Sequence, residues 1–157
     1  MSTNGIEDIS NFLKISDVIA TSGQPTAKQF AVIKQSGYQL IINLALPTSN
    51  NALSNEQEIV ESQGMEYVNI PVLWENPTIE DLTEFFSLMA TNADKKIFVH
   101  CAANMRVSAF MYLYRRLHQG INETEARQTL HQVWIPNEIW HKFIEEAIEY
   151  LFSYTFG

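Results

Sequence analysis

The feature that most constrains this chain is the run Leu40-Ile41-Ile42-Asn43-Leu44, apolar at four of its five positions. A strand with one wet face alternates apolar and polar residues. A near-continuous run suits a strand buried on both faces, which is the situation in a parallel sheet covered by helices. Ile97-Phe98-Val99-His100 has the same character, and Val18-Ile19-Ala20 and Met65 to Ile70 supply two further strands. Helical patterns lie between them. Thr26 with Gln29 reads as a capping box that opens a helix over Ala27 to Ser36, stopped by Gly37. Ser54 with Gln57 reads as a second box, for a helix ending at Gly64. Thr78 with Asp81 caps a third helix through about Met89, whose apolar stripe is Leu82, Phe85, Phe86 and Met89.

After the last strand, Val107 to His118 is expected to be helical, with Gly120 as its stop. Asn122 with Glu125 caps another helix, which Pro136 breaks. Ile139, Trp140, Phe143, Ile144, Ala147, Ile148 and Leu151 then mark a terminal helix docked on the core. Ile6, Ile9 and Leu13 fit a helical turn or two at the start. Strands alternating with capped helices give an α/β fold: a central, mostly parallel sheet with helices on both faces. At 157 residues, a single domain over 1–157 is the natural reading.

Ligands of such sheets bind outside the carboxyl ends of the strands. The loops Ser22 to Thr26, Leu44 to Ser49 and Cys101 to Arg106 should converge there. The last is the most informative. A strand ends in His100-Cys101, a short loop of small residues follows (Ala102, Ala103, Asn104, Met105), then Arg106 and a helix. Strand, loop, helix aims backbone N–H groups and the positive helix end at an anion. Cysteine attacks only as thiolate, a form favoured by helix N-termini, N–H donors and nearby arginine. Arg106 offers a planar fork for an oxyanion.

The order of these residues resembles the signature of cysteine-dependent phosphatases: His-Cys, a phosphate-cradling loop, then Arg and Ser/Thr. The similarity extends to Ser22-Gly23-Gln24-Pro25-Thr26, Gly37 through Asn43-Leu44, Tyr67 to Val72, and Pro77 to Leu82. Together they resemble the bacterial dual-specificity-like phosphatases known as beta-lactamase-hydrolase-like, from about Ile15 to His118. The resemblance implies the phosphatase α/β fold, Cys101 as nucleophile, and anion contacts from Ala102, Ala103, Asn104, Met105, Arg106, Val107 and Ser108. His100 would orient the loop beside the substrate. A general acid is expected from the loop after the preceding strand, Pro71 to Pro77, where Glu75 is the only acid and Trp74 a candidate pocket wall. The substrate would be a phosphomonoester on a small molecule or a protein.

One departure divides the reading. Four residues separate Cys101 from Arg106, one fewer than in the usual phosphatase loop. In one alignment the loop is shorter, as in rhodaneses, which hold a persulfide on cysteine. In the other the length is kept, Asn104 takes the glycine position, Ser108 matches the Ser/Thr, and Val107 replaces the arginine. Asparagine tolerates the left-handed conformation best among non-glycine residues. Three chemistries remain open: phosphatase, sulfur transfer on Cys101, and anion binding without turnover.

The rest narrows the field. A net charge of −8 with no basic stripe argues against nucleic acid. A single cysteine excludes an internal disulfide and any multi-cysteine zinc site. His118, His131 and His141 lack metal-ligand spacing, so no metal or other cofactor is expected. Asp94 reads as a turn acid, and Asn43 and Gln24 as rim residues. The N-terminus lacks signal-peptide character and no apolar run is long enough to span a membrane, so a cytoplasmic protein without membrane contact is expected. The aromatic tail from Phe152 to Phe156 is a candidate contact, a second copy of the chain being one possible partner.

Overall fold

The computed structural model describes residues 5–156, with side chains through residue 151. The aromatic side chains from Phe152 to Phe156 therefore lie outside the described residues. In chain order the strands are β1 (Leu13–Lys14), β2 (Ile19–Ser22), β3 (Leu40–Asn43), β4 (Glu66–Asn69) and β5 (Ile97–His100). The helices are α1 (Ala27–Gln35), α2 (Glu56–Ser62), α3 (Ile79–Thr91), α4 (Met105–Leu117), α5 (Glu123–His131) and α6 (Glu138–Phe156), after a single 3-10 turn over Ile6–Asp8. The sheet order is β1-β2-β5-β3-β4. β2, β5, β3 and β4 run parallel, and β1 closes one edge antiparallel to β2.

The two apolar runs form the centre as their composition requires. Every residue of β3 and β5 is buried. Because side chains alternate across a strand, Ile42, Ile97 and Val99 face one core with Leu82, Phe85, Phe110, Trp140 and Phe143 of α3, α4 and α6. Ala20, Ile41 and Phe98 face the other, with Phe30 and Ile33 of α1 and Val60 of α2. α1 and α2 carry the chain one way across the sheet on one face. α3 carries it back on the other, so β5 is inserted between β2 and β3. The carboxyl end of β5 thus sits where the connectivity reverses, the place where open α/β sheets bind ligands.

Four local details differ from the pattern read in the sequence. Leu13 lies on the edge strand β1, not on a helical turn. The Ser54 box does not form: Asn55 occupies the N-cap of α2 without a side-chain cap bond, and the Gln57 amide donates to Glu61 instead. α3 runs on to Thr91. α4 starts at Met105, two residues before Val107, and this is the difference that matters for the site. The Thr26–Gln29 box is present in both directions, and Thr78 and Asn122 cap α3 and α5 through Asp81 N and Glu125 N.

Candidate active site

Cys101 lies at the end of β5 and is 1% exposed. The chain then makes a tight turn and enters α4. The turn depends on Asn104, which holds φ 66° and ψ 1°, left-handed backbone, as the N-cap residue. Its side-chain amide fixes that geometry by donating to Asn11 O at 2.9 Å and Thr21 Oγ1 at 3.0 Å. Asn11 is itself left-handed (φ 51°) and returns a bond from Nδ2 to Ala103 O at 3.0 Å.

The loop carbonyls are all turned toward the framework. Cys101 O lies 3.3 Å from His100 Nδ1. Ala102 O accepts from Gln24 N at 3.1 Å and from Asn51 Nδ2 at 3.2 Å. Ala103 O accepts from Asn11. In a trans peptide the N–H points opposite to the carbonyl of the same unit, and no peptide bond among the described residues is cis. The N–H groups of Ala102 and Ala103 therefore point away from these partners. At the start of α4 the first backbone N–H to bond back is that of Ser108, to Asn104 O at 2.9 Å. Those of Met105, Arg106 and Val107 have no intrahelical acceptor. Together with those of Ala102 and Ala103 they are the donors of the segment that follows Cys101, backed by the helix dipole.

Gly23 allows this close approach. A Cβ there would meet Ala102 O at 2.9 Å and Ala103 Cα at 3.2 Å. Only a residue without a side chain lets the β2 loop lie flat against the loop after Cys101, where Gly23 and Ala103 form a bridge.

The helix start decides between the two loop alignments. With Asn104 as N-cap, Arg106 is in the first turn and its Nη1 donates to Val72 O at 2.9 Å. It therefore lies between the Cys101–Arg106 loop and the loop after β4 at the carboxyl end of the sheet. Val107 is 0% exposed within the core. The left-handed position is Asn104, and of the two candidates Arg106, not Val107, has its side chain at this end of the sheet. The bond to Val72 uses one of the five donors of a guanidinium.

The side chains of three residues expected at the substrate serve the structure instead. The Val107 side chain packs in the core and offers an anion only its backbone N–H. Ser108 is spent on structure: its hydroxyl donates to Met105 O at 2.7 Å and accepts from Trp134 Nε1 at 3.0 Å. His100 is fully buried behind Cys101, so it holds the loop from behind without touching substrate. Glu75 is exposed, at the turn of the loop after β4. Trp74 is core as much as wall: its ring lies 5.3 Å from that of Trp134 and 6.0 Å from that of Trp140, and Trp140 Nε1 donates to Trp74 O. These rings and Arg106 pin the acid-bearing loop.

Asn43 and Gln24 are both committed. Asn43 donates to the Tyr67 hydroxyl at 3.1 Å and accepts from Ala45 N, and Gln24 donates to Glu56 Oε1 at 2.8 Å. Burial pushes the Tyr67 hydroxyl up to about 12, against the bond from Asn43 and with the help of the Glu56 charge. A cavity of about 210 Å³ opens here, lined by Asn43, Leu53, Glu56, Tyr67 and Asn69 among others. Asp94 is in a turn. His118 packs on Phe86, and His141 faces Glu145 on α6. Among the described residues no group of three or more His, Cys, Asp and Glu is arranged to hold a metal ion, and no helix is long and apolar enough to cross a membrane.

Sequence reading missed Glu56, Asn11 and Asn51. Asn11 and Asn51 carry no local signal. Glu56 had one indirect signal: a buried histidine needs an acceptor, and the acid that supplies it is found only once α2 is packed.

Similarity to known proteins agrees with this geometry. No curated protein sequence matches the chain. Among solved structures, a putative phosphatase (DUF442) from Shewanella putrefaciens CN-32 is 34% identical, with 93% of this chain and 96% of that one covered and a TM-score of 0.82. The fold is shared with the core catalytic domain of the PP-IP phosphatase SIW14 from S. cerevisiae, at 18% identity over 87% and 85% of the chains and a TM-score of 0.72. It is shared too with P. aeruginosa TpbA in complex with pTyr, at 15% identity over 76% and 71% and a TM-score of 0.62. Residues 4–139 match the family model described as DSP-PTPase phosphatase fused to NAD+ kinase, and the chain belongs to that dual-specificity and tyrosine phosphatase-like family.

Proposed function

We propose that this phosphatase hydrolyses phosphomonoesters through a phosphocysteine on Cys101. The observation that carries the reading is the set of backbone N–H groups at Ala102, Ala103 and the first turn of α4, turned away from the framework beside the only thiol. The Cys101 thiolate attacks phosphorus, the P–O bond to the leaving group breaks, and the leaving oxygen takes a proton from Glu75. Water then attacks phosphorus as Glu75 takes its proton back from it, the S–P bond breaks, and inorganic phosphate leaves with the Cys101 thiolate and the Glu75 acid restored. The loop N–H groups and Arg106 hold the equatorial oxygens, where transition-state charge accumulates.

A phosphorylated substrate is supported by the relatives, one a PP-IP phosphatase and one crystallised with pTyr. Within that class we place this chain with monophosphates, small or on a protein, acted on by the single domain over 1–157. The test is phosphate release from an aryl phosphate by reduced protein. Turnover abolished by Cys101→Ser supports the proposal. No release between acidic and neutral pH refutes it.

One observation favours a second reading. The loop is a residue shorter than the usual phosphatase ring, as in rhodaneses, which carry sulfur on cysteine. A persulfide on Cys101 after exposure to thiosulfate, detected by intact mass, would select that chemistry.

A further inference from the structure

Behind Cys101 lies a buried acid–imidazole pair that the reaction scheme does not use. Glu56, at the first turn of α2, is 4% exposed and His100 is 0% exposed, and Glu56 Oε2 lies 2.6 Å from His100 Nε2. Burying an acid is costly unless it is paired and hydrogen-bonded. Here both carboxylate oxygens are used, Oε2 by the imidazole and Oε1 by the Gln24 amide at 2.8 Å. Gln24 in turn donates its backbone N–H to Ala102 O. One acid therefore reaches the nucleophile loop by two routes: through His100 to the carbonyl of Cys101, and through Gln24 to the carbonyl of Ala102.

The hydrogen bonds also set the protons. A backbone carbonyl only accepts, so His100 Nδ1, 3.3 Å from Cys101 O, carries hydrogen. Nε2 faces a carboxylate oxygen whose partner oxygen already accepts from an amide, which favours the ionised acid. With Glu56 ionised, both ring nitrogens donate. The neighbours of the ring recorded among the described residues, Glu56 apart, carry no charge. Phe30 of α1 meets the ring edge-on at 6.1 Å, and the strand neighbours of His100 are Ser22 and Asn43. Tyr67 of β4 acts on Glu56 and stays neutral at physiological pH.

We propose that Glu56 is a positioning residue for the nucleophile. It keeps His100 doubly protonated and, with Gln24, holds the first two loop carbonyls back so that the following N–H groups face the anion. The proposal rests on the phosphatase reading for its kinetic arm only.

Two measurements on reduced, full-length protein test it. In the wild type, nitrogen-15 histidine spectra at neutral pH show His100 with both nitrogens protonated; a neutral-imidazole pattern overturns the proposal. In Glu56→Gln the charge is removed with shape kept. Alkylation of Cys101 by iodoacetamide at neutral pH slows, and kcat on an aryl phosphate falls about tenfold with KM nearly unchanged, a part of the ~10²-fold that a 1 Å misplacement costs. A folded Glu56→Gln protein with wild-type alkylation and wild-type kcat overturns it. Should the wild type release no phosphate, the phosphatase reading fails, while a doubly protonated His100 and slowed alkylation still support the role of Glu56.

Discussion

Replacing Asn104 by glycine and by alanine separates the two things that residue does. It sits at φ 66°, and its Nδ2 bonds Asn11 O and Thr21 Oγ1. Both variants lose those two bonds, about 1–3 kcal/mol together at roughly 0.5–1.5 kcal/mol each. Both also remove Asn104 Oδ1, which is buried with no partner among the described residues, so that term cancels. Only alanine adds the cost of left-handed backbone, about 1–2 kcal/mol. Glycine gives back about 0.5–1 kcal/mol through its larger loss of chain entropy. The total for Asn104→Ala is about 2–5 kcal/mol, and glycine stays ahead of it by about 0.75 kcal/mol at the midpoints of the two ranges. For a chain of this size that difference is about 2–3 °C in Tm. Thermal and urea unfolding of the three proteins read it directly. The usual ranking at helical positions places alanine above glycine. If Asn104→Gly is as unstable as Asn104→Ala or more so, the left-handed turn is not what holds the loop.

Three further outcomes follow from the same geometry. Arg106→Ala should lower kcat/KM for an aryl phosphate by about 10²–10³-fold, the loss typical of one donor to a developing oxyanion; a loss under tenfold would mean that the guanidinium serves only Val72. Glu75→Gln should slow esters with poor leaving groups and spare p-nitrophenyl phosphate, whose leaving group needs no proton; equal loss on both would remove Glu75 as the acid. Tyr67 is raised from 10.0 to about 12 by burial first, with the Asn43 bond opposing and the Glu56 charge adding. A raised value means stability that is complete below pH 10 and lost as the pH climbs through about 12. Wild type should therefore lose stability relative to Tyr67→Phe across that window in urea unfolding, and parallel pH curves would refute it.

Much of this was legible because it is local. Short, β-branched apolar runs without alternation suit strands buried on both faces, and β3 and β5 are such strands. Thr26, Thr78 and Asn122 cap their helices because a side-chain oxygen and an N–H three residues on meet by helix geometry alone. Asn104 in the glycine position could be read for the same reason, since left-handed backbone is a property of one residue. Ser54 failed because a cap depends on where the helix starts, and α2 begins one residue beyond the position a Ser54 cap requires. The start of α4 was set two residues late because Met105 and Arg106 look like loop until Asn104 turns the chain.

That shift had chemical consequences, sending Val107 to the core and Arg106 toward Val72. Glu56 was invisible for a different reason. Its two partners are 44 residues away at His100 and 32 away at Gln24, and nothing in a surface-like Ser-Asn-Glu-Gln stretch marks an acid for burial.

The most direct measurement is a single-turnover reaction of reduced protein with an aryl phosphate, acid-quenched during the burst and read by peptide mass spectrometry. The account predicts a phosphoryl group on Cys101 that decays as inorganic phosphate appears. Release of phosphate with Cys101 unmodified throughout, or undiminished turnover in Cys101→Ser, would contradict it.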